Sequence, residues 1–375
     1  MKVHIIKSAI SFLLLATGLI ACGGSDSKNN DTPSTITPSV TALTFGADGG
    51  TETFTVNAGG EWDAICAESW VKVSKTGTLS TNGSVSVTVD ANTARKERTA
   101  AITLLSGTSR ASVTVTQAAK AAQPVDPTID VPDGYELVWN DEFNGTELSR
   151  TDWTHEVQGP GWVNNELQTY VNGSFDGLPV TEVKGGSLFI NCFKHAGNIY
   201  SGRIYAHVSE GWCYGIFEAR IKLPKGKGTW PAFWMMPVNN DFAANPWPRC
   251  GEIDIMEEVG YNPNYTSSSI HCESYNHVMG TQKTAERLTQ GAQDDFHVYR
   301  LEWTEDYIRT YVDGTLLLSF SNDGKGNVST WPFTRAFYPI LNLAWGGDWG
   351  GAQGVDESAL PAVMEVDYVR VFQKK

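Results

Sequence analysis

Short runs with an apolar residue at every second position recur along most of this chain. The early ones are "TETFTVNA", "SVSVTVDA", "TAAITLL" and "ASVTVTQA"; later come "GSLFINCF", "YGIFEARIKL", "HVYRLEW", "YIRTYVDGTLLLSF" and "MEVDYVRVF". Alternate side chains of a strand point to opposite faces, so each run can bury one face and wet the other. Gly, Asn and Pro punctuate the runs, and no long segment sustains a 3.6-residue apolar period. An all-β chain is predicted, in two blocks. Residues 37–119 hold short alternating strands of a small antiparallel sandwich, and residues 133–375 are long enough for a larger two-sheet sandwich. Between them "KAAQPVDPTIDVP", residues 120–132, carries three Pro and reads as a semi-stiff linker.

The N-terminus predicts targeting. Lys2 and Lys7 precede the apolar run "AISFLLLATGLIA", which has the length of a signal peptide's hydrophobic region. It ends in "LIAC", which resembles a bacterial lipobox. That implies a lipoprotein signal over residues 1–21, acylation of Cys22, a polar tether over 22–36 and a bacterial membrane, outer and surface-exposed, as the location. The net charge of −14 argues against a nucleic-acid partner. Beyond Cys22 five cysteines remain, none in CxxC spacing, which leaves room for one disulfide and disfavours a thiolate zinc site. All thirteen Tyr lie at or after Tyr135, and eleven of thirteen Trp at or after Trp139. Aromatic faces concentrated in the second block suit either core filling or stacking on sugar rings.

"CGEIDIMEEVG" sets Glu252, Asp254, Glu257 and Glu258 among Ile253, Ile255 and Met256. As a strand it places Glu252 and Asp254 on one face and the isoleucines on the other. Strict alternation would then bury Glu257, and an unpaired buried carboxylate is costly. A one-residue bulge near Ile255–Met256 removes the conflict and lines up Glu252, Asp254 and Glu257. Such a row fits glycoside hydrolysis by two carboxyls, a calcium or magnesium site, or a solvated acidic face.

"EIDIME" resembles the E-x-D-x-x-E signature of glycoside hydrolase family 16, in its bulged form. The resemblance extends over residues 133–375 through "WNDEFNG", "NNELQTY", "YGIFEARIKLPKGKGTWPAFWMMP", "FHVYRLEWTEDYIRTYVDG", "ILNLAWGGDWGG" and "VDYVRVF". "ESWVKVS" and "SVTVTQAA" resemble a BACON domain, an immunoglobulin-like module, which we read as a spacer rather than a carbohydrate binder. The resemblance implies a β-jelly-roll with a concave substrate cleft and a retaining endo-β-glucanase acting on β-1,3 or mixed-linkage glucan, such as laminarin or cereal β-glucan. A galactan hydrolase of agarase or porphyranase type is the alternative within the class. A non-catalytic carbohydrate-binding surface lipoprotein, working beside other glycan-utilisation proteins, is the alternative outside it.

By the same resemblance Glu252 is the nucleophile, Glu257 the acid/base and Asp254 the middle acid, with Glu258 outside the set. Trp230, Trp234, Asn165, Arg203 and Trp349 fall at substrate-binding positions, with Glu166 a further candidate, and His271 at one beside the acid/base. Trp345, Asp348 and Gly350 depart from the common laminarinase pattern. No cofactor is implied for catalysis. A structural calcium is, with donors from Glu142, the Gly186 turn and Asp367.

Overall fold

The computed structural model describes residues 35–76, 82–92, 97–119, 128–206 and 210–375. Cys22, the signal segment and most of the tether lie outside them. Each alternating run forms a strand. In the N-terminal unit Ile36–Pro38, Gly50–Ala58, Asn82–Val89 and Val71–Thr76 form one sheet, in that order. Ala42–Phe45, Ser109–Gln117, Arg98–Ser106 and Asp63–Cys66 form the other. Phe54, Val56, Val85 and Val87 of the first meet Ile102, Leu104, Val113 and Val115 of the second in a core of their own. Each such buried side chain contributes about 1.5–3 kcal/mol.

The second unit stacks a seven-stranded sheet on a larger one, as a jelly-roll does. The strands of the seven-stranded sheet are β1 (Trp153–His155), β2 (Arg203–Ala206), β3 (Thr229–Pro237), β4 (Glu252–Glu257), β5 (Tyr265–His271), β6 (Lys283–Leu288) and β7 (Phe337–Trp345). Their order across the sheet is β1-β2-β7-β3-β4-β5-β6, and all pairs are antiparallel. One core joins the two sheets. Phe233, Met235, Ile253, Ile255 and Met256 pack with Phe217, Leu301, Trp303, Val369 and Val371. Helix is confined, among the described residues, to the turn Gly347–Gly350 and two 3-10 turns.

The linker differs from expectation at its end. Ile129 and Val131 cluster with Tyr135, Leu137, Ile216 and Phe372. Their spacing of two lets both side chains reach one apolar strip, so this stretch belongs to the second unit's packing. The five cysteines from Cys66 onward are all free, so none of them forms the disulfide for which the sequence left room.

Candidate active site

The site begins with an irregularity in β4. Trp234 pairs with Asp254 and Phe233 with Met256, so Ile255 is an extra residue opposite β3. On the other side Asp254 faces Ser269 and Glu257 faces Ser267, three residues' span against two. The bulge carries Ile255 and Met256 into the core together, at 1% and 0% exposure. The carbonyl of Ile255 accepts from the Ser268 hydroxyl at 2.6 Å. Glu252, Asp254 and Glu257 consequently share the open face. Glu258 turns inward, 1% exposed, where it accepts from the Gln293 amide.

Indole N–H groups hold the two outer carboxylates. Trp247 Nε1 donates to Glu252 Oε2 at 3.1 Å, and Trp230 Nε1 to Glu257 Oε1 at 2.9 Å. His271 Nε2 lies 3.1 Å from Asp254 Oδ2 and 3.9 Å from Glu252 Oε1. The Asp254 contact is off the line of a hydrogen bond, since Asp254 Oδ2 has no bonded partner among the described residues. His271 pairs directly with Glu252 across the strands. It therefore sits at the Glu252–Asp254 end rather than beside Glu257 as expected, because the antiparallel register sets position 271 against 252 and leaves Ser267 opposite Glu257.

Burial dominates the electrostatics. It pushes Glu252 up to about 8, with the charges of Asp254 and Glu257 adding and those of His271 and Arg203 opposing. Burial and Asp254 push Glu257 to about 8 as well, with Glu166 adding and the Trp230 hydrogen bond and His271 opposing. Burial holds Asp254 well above the carboxylate range. Arg203 acts in favour of the Glu252 carboxylate, and Glu166 acts against that of Glu257. Burial raises both carboxyls alike, and the two differ in the neighbours that modulate it, Arg203 at Glu252 and Glu166 at Glu257.

The sheet carries the other predicted residues to the same face. Arg203 is 9% exposed, its guanidinium 4.9 Å from the Trp162 ring and 4.7 Å from that of Trp234. Its Nε is buried without a hydrogen-bond partner among the described residues. Trp234 Nε1 donates to Asn342 Oδ1 at 2.7 Å. Trp349 meets Trp230 edge-on, centroids 5.5 Å apart. Asn165 Nδ2 donates to Asp348 Oδ1 at 2.8 Å, which joins two rim loops. Gly350 is required here, since a Cβ would lie 2.9 Å from that of Trp230. Glu166 is buried and accepts from Gln168 and Tyr170. Trp345 departs from the rim altogether. It is fully buried in the core, so its identity concerns packing.

Sequence reasoning missed Trp247, Trp162 and Asn342. The stretch "PWPRCGE" puts Trp247 five residues before Glu252, too far along an irregular loop for spacing to reveal the contact. His277, 5.0 Å from the Trp247 ring and 5.3 Å from His271, completes an aromatic wall at that end.

Two metal readings can be tested on the donors. Ligand atoms of Glu252, Asp254 and His271 lie within 4.8 Å of one another. Calcium and magnesium take oxygen ligands, whereas this set includes an imidazole, and Glu252 already accepts an indole N–H. Remote from it, Glu142 makes a two-pronged bond to Arg370 at 2.8 and 2.7 Å, and Asp367 accepts from Arg220 at 2.7 Å. As free carboxylates these two do not fit the expected calcium, because each faces a guanidinium that already neutralises it.

Comparison with known proteins agrees with the geometry. The profile of "Glycosyl hydrolases family 16" matches residues 183–370, and that of BACON, "Putative binding domain, N-terminal", residues 60–118. The chain is 43% identical over 250 residues to the "Beta-glucanase" of Rhodothermus marinus, covering 64% of this chain and 85% of that one. It is 32% identical to the "Keratan-sulfate endo-1,4-beta-galactosidase" of Sphingobacterium multivorum, over 69% of this chain and 60% of that one. The solved laminarinase of Rhodothermus marinus superposes with a TM-score of 0.60 at 41% identity, over 64% of this chain and 98% of that one. With its bulged acid row, its jelly-roll sheets and these matches, the chain belongs to glycoside hydrolase family 16.

Proposed function

We propose that the protein is a retaining endo-β-glucanase that cuts internal bonds of β-1,3-glucan and of mixed-linkage β-1,3-1,4-glucan. The observation that carries this is the bulge, which sets Glu252 and Glu257 on one face with an indole N–H on each. Glu252, whose carboxylate form the Trp247 N–H and the Arg203 charge support against burial, attacks the anomeric carbon. Glu257, facing Glu166 and Asp254, keeps its proton and gives it to the departing glycosidic oxygen. A glycosyl ester on Glu252 results. Glu257, now a carboxylate, takes a proton from water, which attacks the anomeric carbon and releases Glu252. Burial first, and the adjoining Asp254 carboxyl second, push Glu257 up to about 8, so the donor keeps its proton at neutral pH. Relatives that act on β-glucan support the glucan reading over the galactan one. A reducing-sugar assay on laminarin, barley β-glucan, lichenan, agarose and porphyran tests it: turnover of laminarin is expected, and turnover of agarose or porphyran alone would overturn it.

Three further parts belong to the proposal. The N-terminal sandwich serves as a spacer. In support, Trp62 is buried and Trp70 is capped by the Arg98 guanidinium at 4.2 Å, so neither offers an open ring to a sugar. Weaker pull-down on insoluble glucan after its removal would overturn that. Cys22 carries the lipid that holds the enzyme at a bacterial membrane, and Cys22→Ala should release it to the soluble fraction. A structural calcium with donors from Glu142, the Gly186 turn and Asp367 would have to displace Arg370 from Glu142 and Arg220 from Asp367. A melting temperature that chelator leaves unchanged would remove it.

A further inference from the structure

Strand register draws a line straight across the open face. Arg203 on β2 pairs with Asn342 on β7, Asn342 with Ala232 on β3, and Ala232 with Glu257 on β4. Glu257 pairs with Ser267 on β5, and Ser267 with Glu286 on the edge strand β6. Directly paired residues of antiparallel strands project to the same face. Glu286 therefore stands on the catalytic face, two strand spacings or about 10 Å beyond Glu257. It is exposed and has no ion pair to a described residue.

One pleat further along, Tyr265 pairs with Leu288 on the same face. These are 39% and 50% exposed, whereas Thr266, Ser268 and Ile270 on the opposite face are fully buried. An exposed aromatic and an exposed aliphatic side by side, continuous with an acid row, form an apolar step at the cleft's margin. The step is built unlike the Arg203 side, where the guanidinium lies among tryptophans. Between Glu257 and the step Ser267 offers only a small hydroxyl, and one pleat to the other side, opposite Asp254, Ser269 donates to Thr284 at 3.0 Å.

We propose that β5 and β6 form an outer sugar subsite in which Tyr265 and Leu288 carry the apolar face of a glucosyl unit and Glu286 accepts its hydroxyls and repels anionic units. The occupant is the substrate chain itself as it continues past Glu257, so the inference rests on the glucanase reading above. Repulsion by one exposed acid, added to the neighbouring acid row, makes the subsite selective for neutral glucan over sulfated or carboxylated polysaccharide.

The test compares wild type, Tyr265→Ala and Glu286→Lys as full chains. The substrates are laminarihexaose, laminaritriose, and carboxymethylated against unmodified β-1,3-glucan. Tyr265→Ala should lower the hexaose-to-triose ratio of kcat/KM several-fold. Glu286→Lys should raise the carboxymethylated-to-unmodified ratio several-fold at low salt, with the gain shrinking at high salt. Active variants whose ratios equal the wild type's would overturn the subsite and leave the glucanase reading standing. A wild type that cleaves none of these glucans would overturn both. Matched melting temperatures of the three proteins exclude misfolding as the cause of a changed ratio.

Discussion

Glu257 and Glu258 are chain neighbours in opposite surroundings. Burial pushes each up to about 8. Glu257 accepts an indole N–H, shares a face with two further acids and opens onto the substrate side. Glu258 is buried with the Gln293 amide as partner and one oxygen without a hydrogen bond among the described residues. A displaced pKa therefore does not mark a catalytic group by itself. What separates the two is the face on which the bulge leaves them, and that can be tested by substitution.

The largest effect should come from Glu252→Ser, which removes the nucleophile. Turnover of laminarin should fall by several orders of magnitude while isothermal titration still shows oligosaccharide binding. Glu257→Ala comes next, and its damage should follow the leaving group. Natural glucan, with a poor one, should suffer most; an activated aryl glycoside should suffer least, and azide should restore its breakdown as a β-glycosyl azide. Equal losses on both substrates would mean that Glu257 is not the proton donor.

Trp247→Phe keeps the ring and deletes the donor to Glu252. One hydrogen bond to a charged group is worth about 1.5–3 kcal/mol, so kcat should drop roughly ten- to a hundredfold. The carboxylate form of Glu252 loses support, so its pKa rises and the acidic limb of the pH–rate profile moves to higher pH. A lowered rate with an unmoved limb would point to packing alone.

Glu258→Gln should change activity least and stability most visibly with pH. The ordinary carboxyl value is 4.5 and the folded value about 8. Between them the folded protein holds a proton that the unfolded chain releases, so the contribution of Glu258 to stability is lost as pH rises from 4.5 through about 8. Gln cannot ionise. The variant should match wild type near pH 4.5 and gain on the order of a few kcal/mol over it by pH 9, read from denaturant melts. If Glu258→Gln abolished turnover while Glu257→Gln stayed active, the row would be misassigned by one residue.

Much of this was legible in the residue order. Period-two alternation marked the strands because burying one face of a sheet leaves that trace in any sequence. The bulge was legible as well, because "EIDIMEE" without it would bury Glu257. Other features left no local trace. His271 was expected near the acid/base and stands opposite Glu252, since its neighbour depends on the cross-strand register and not on spacing along one strand. Trp345 read as a rim residue and proved to be core, because it is the last residue of β7 and the rim loop begins only after it. The carboxylates of Glu142 and Asp367 suggested an ion and turned out to face Arg370 and Arg220, which are distant or unremarkable in sequence.

The order of residues by itself determined that the chain is built of strands, that it divides into two sandwiches, and that three of four clustered acids share a face. Each follows from local periodicity and from the cost of burying a charge. Tertiary structure alone decided which indole holds which carboxylate, which arginine neutralises which acid, and which residues of the edge strand extend the line through Glu257. Those are pairings between segments tens to hundreds of residues apart. They are set by strand order and register, which the packing of the whole sandwich selects and no single segment encodes.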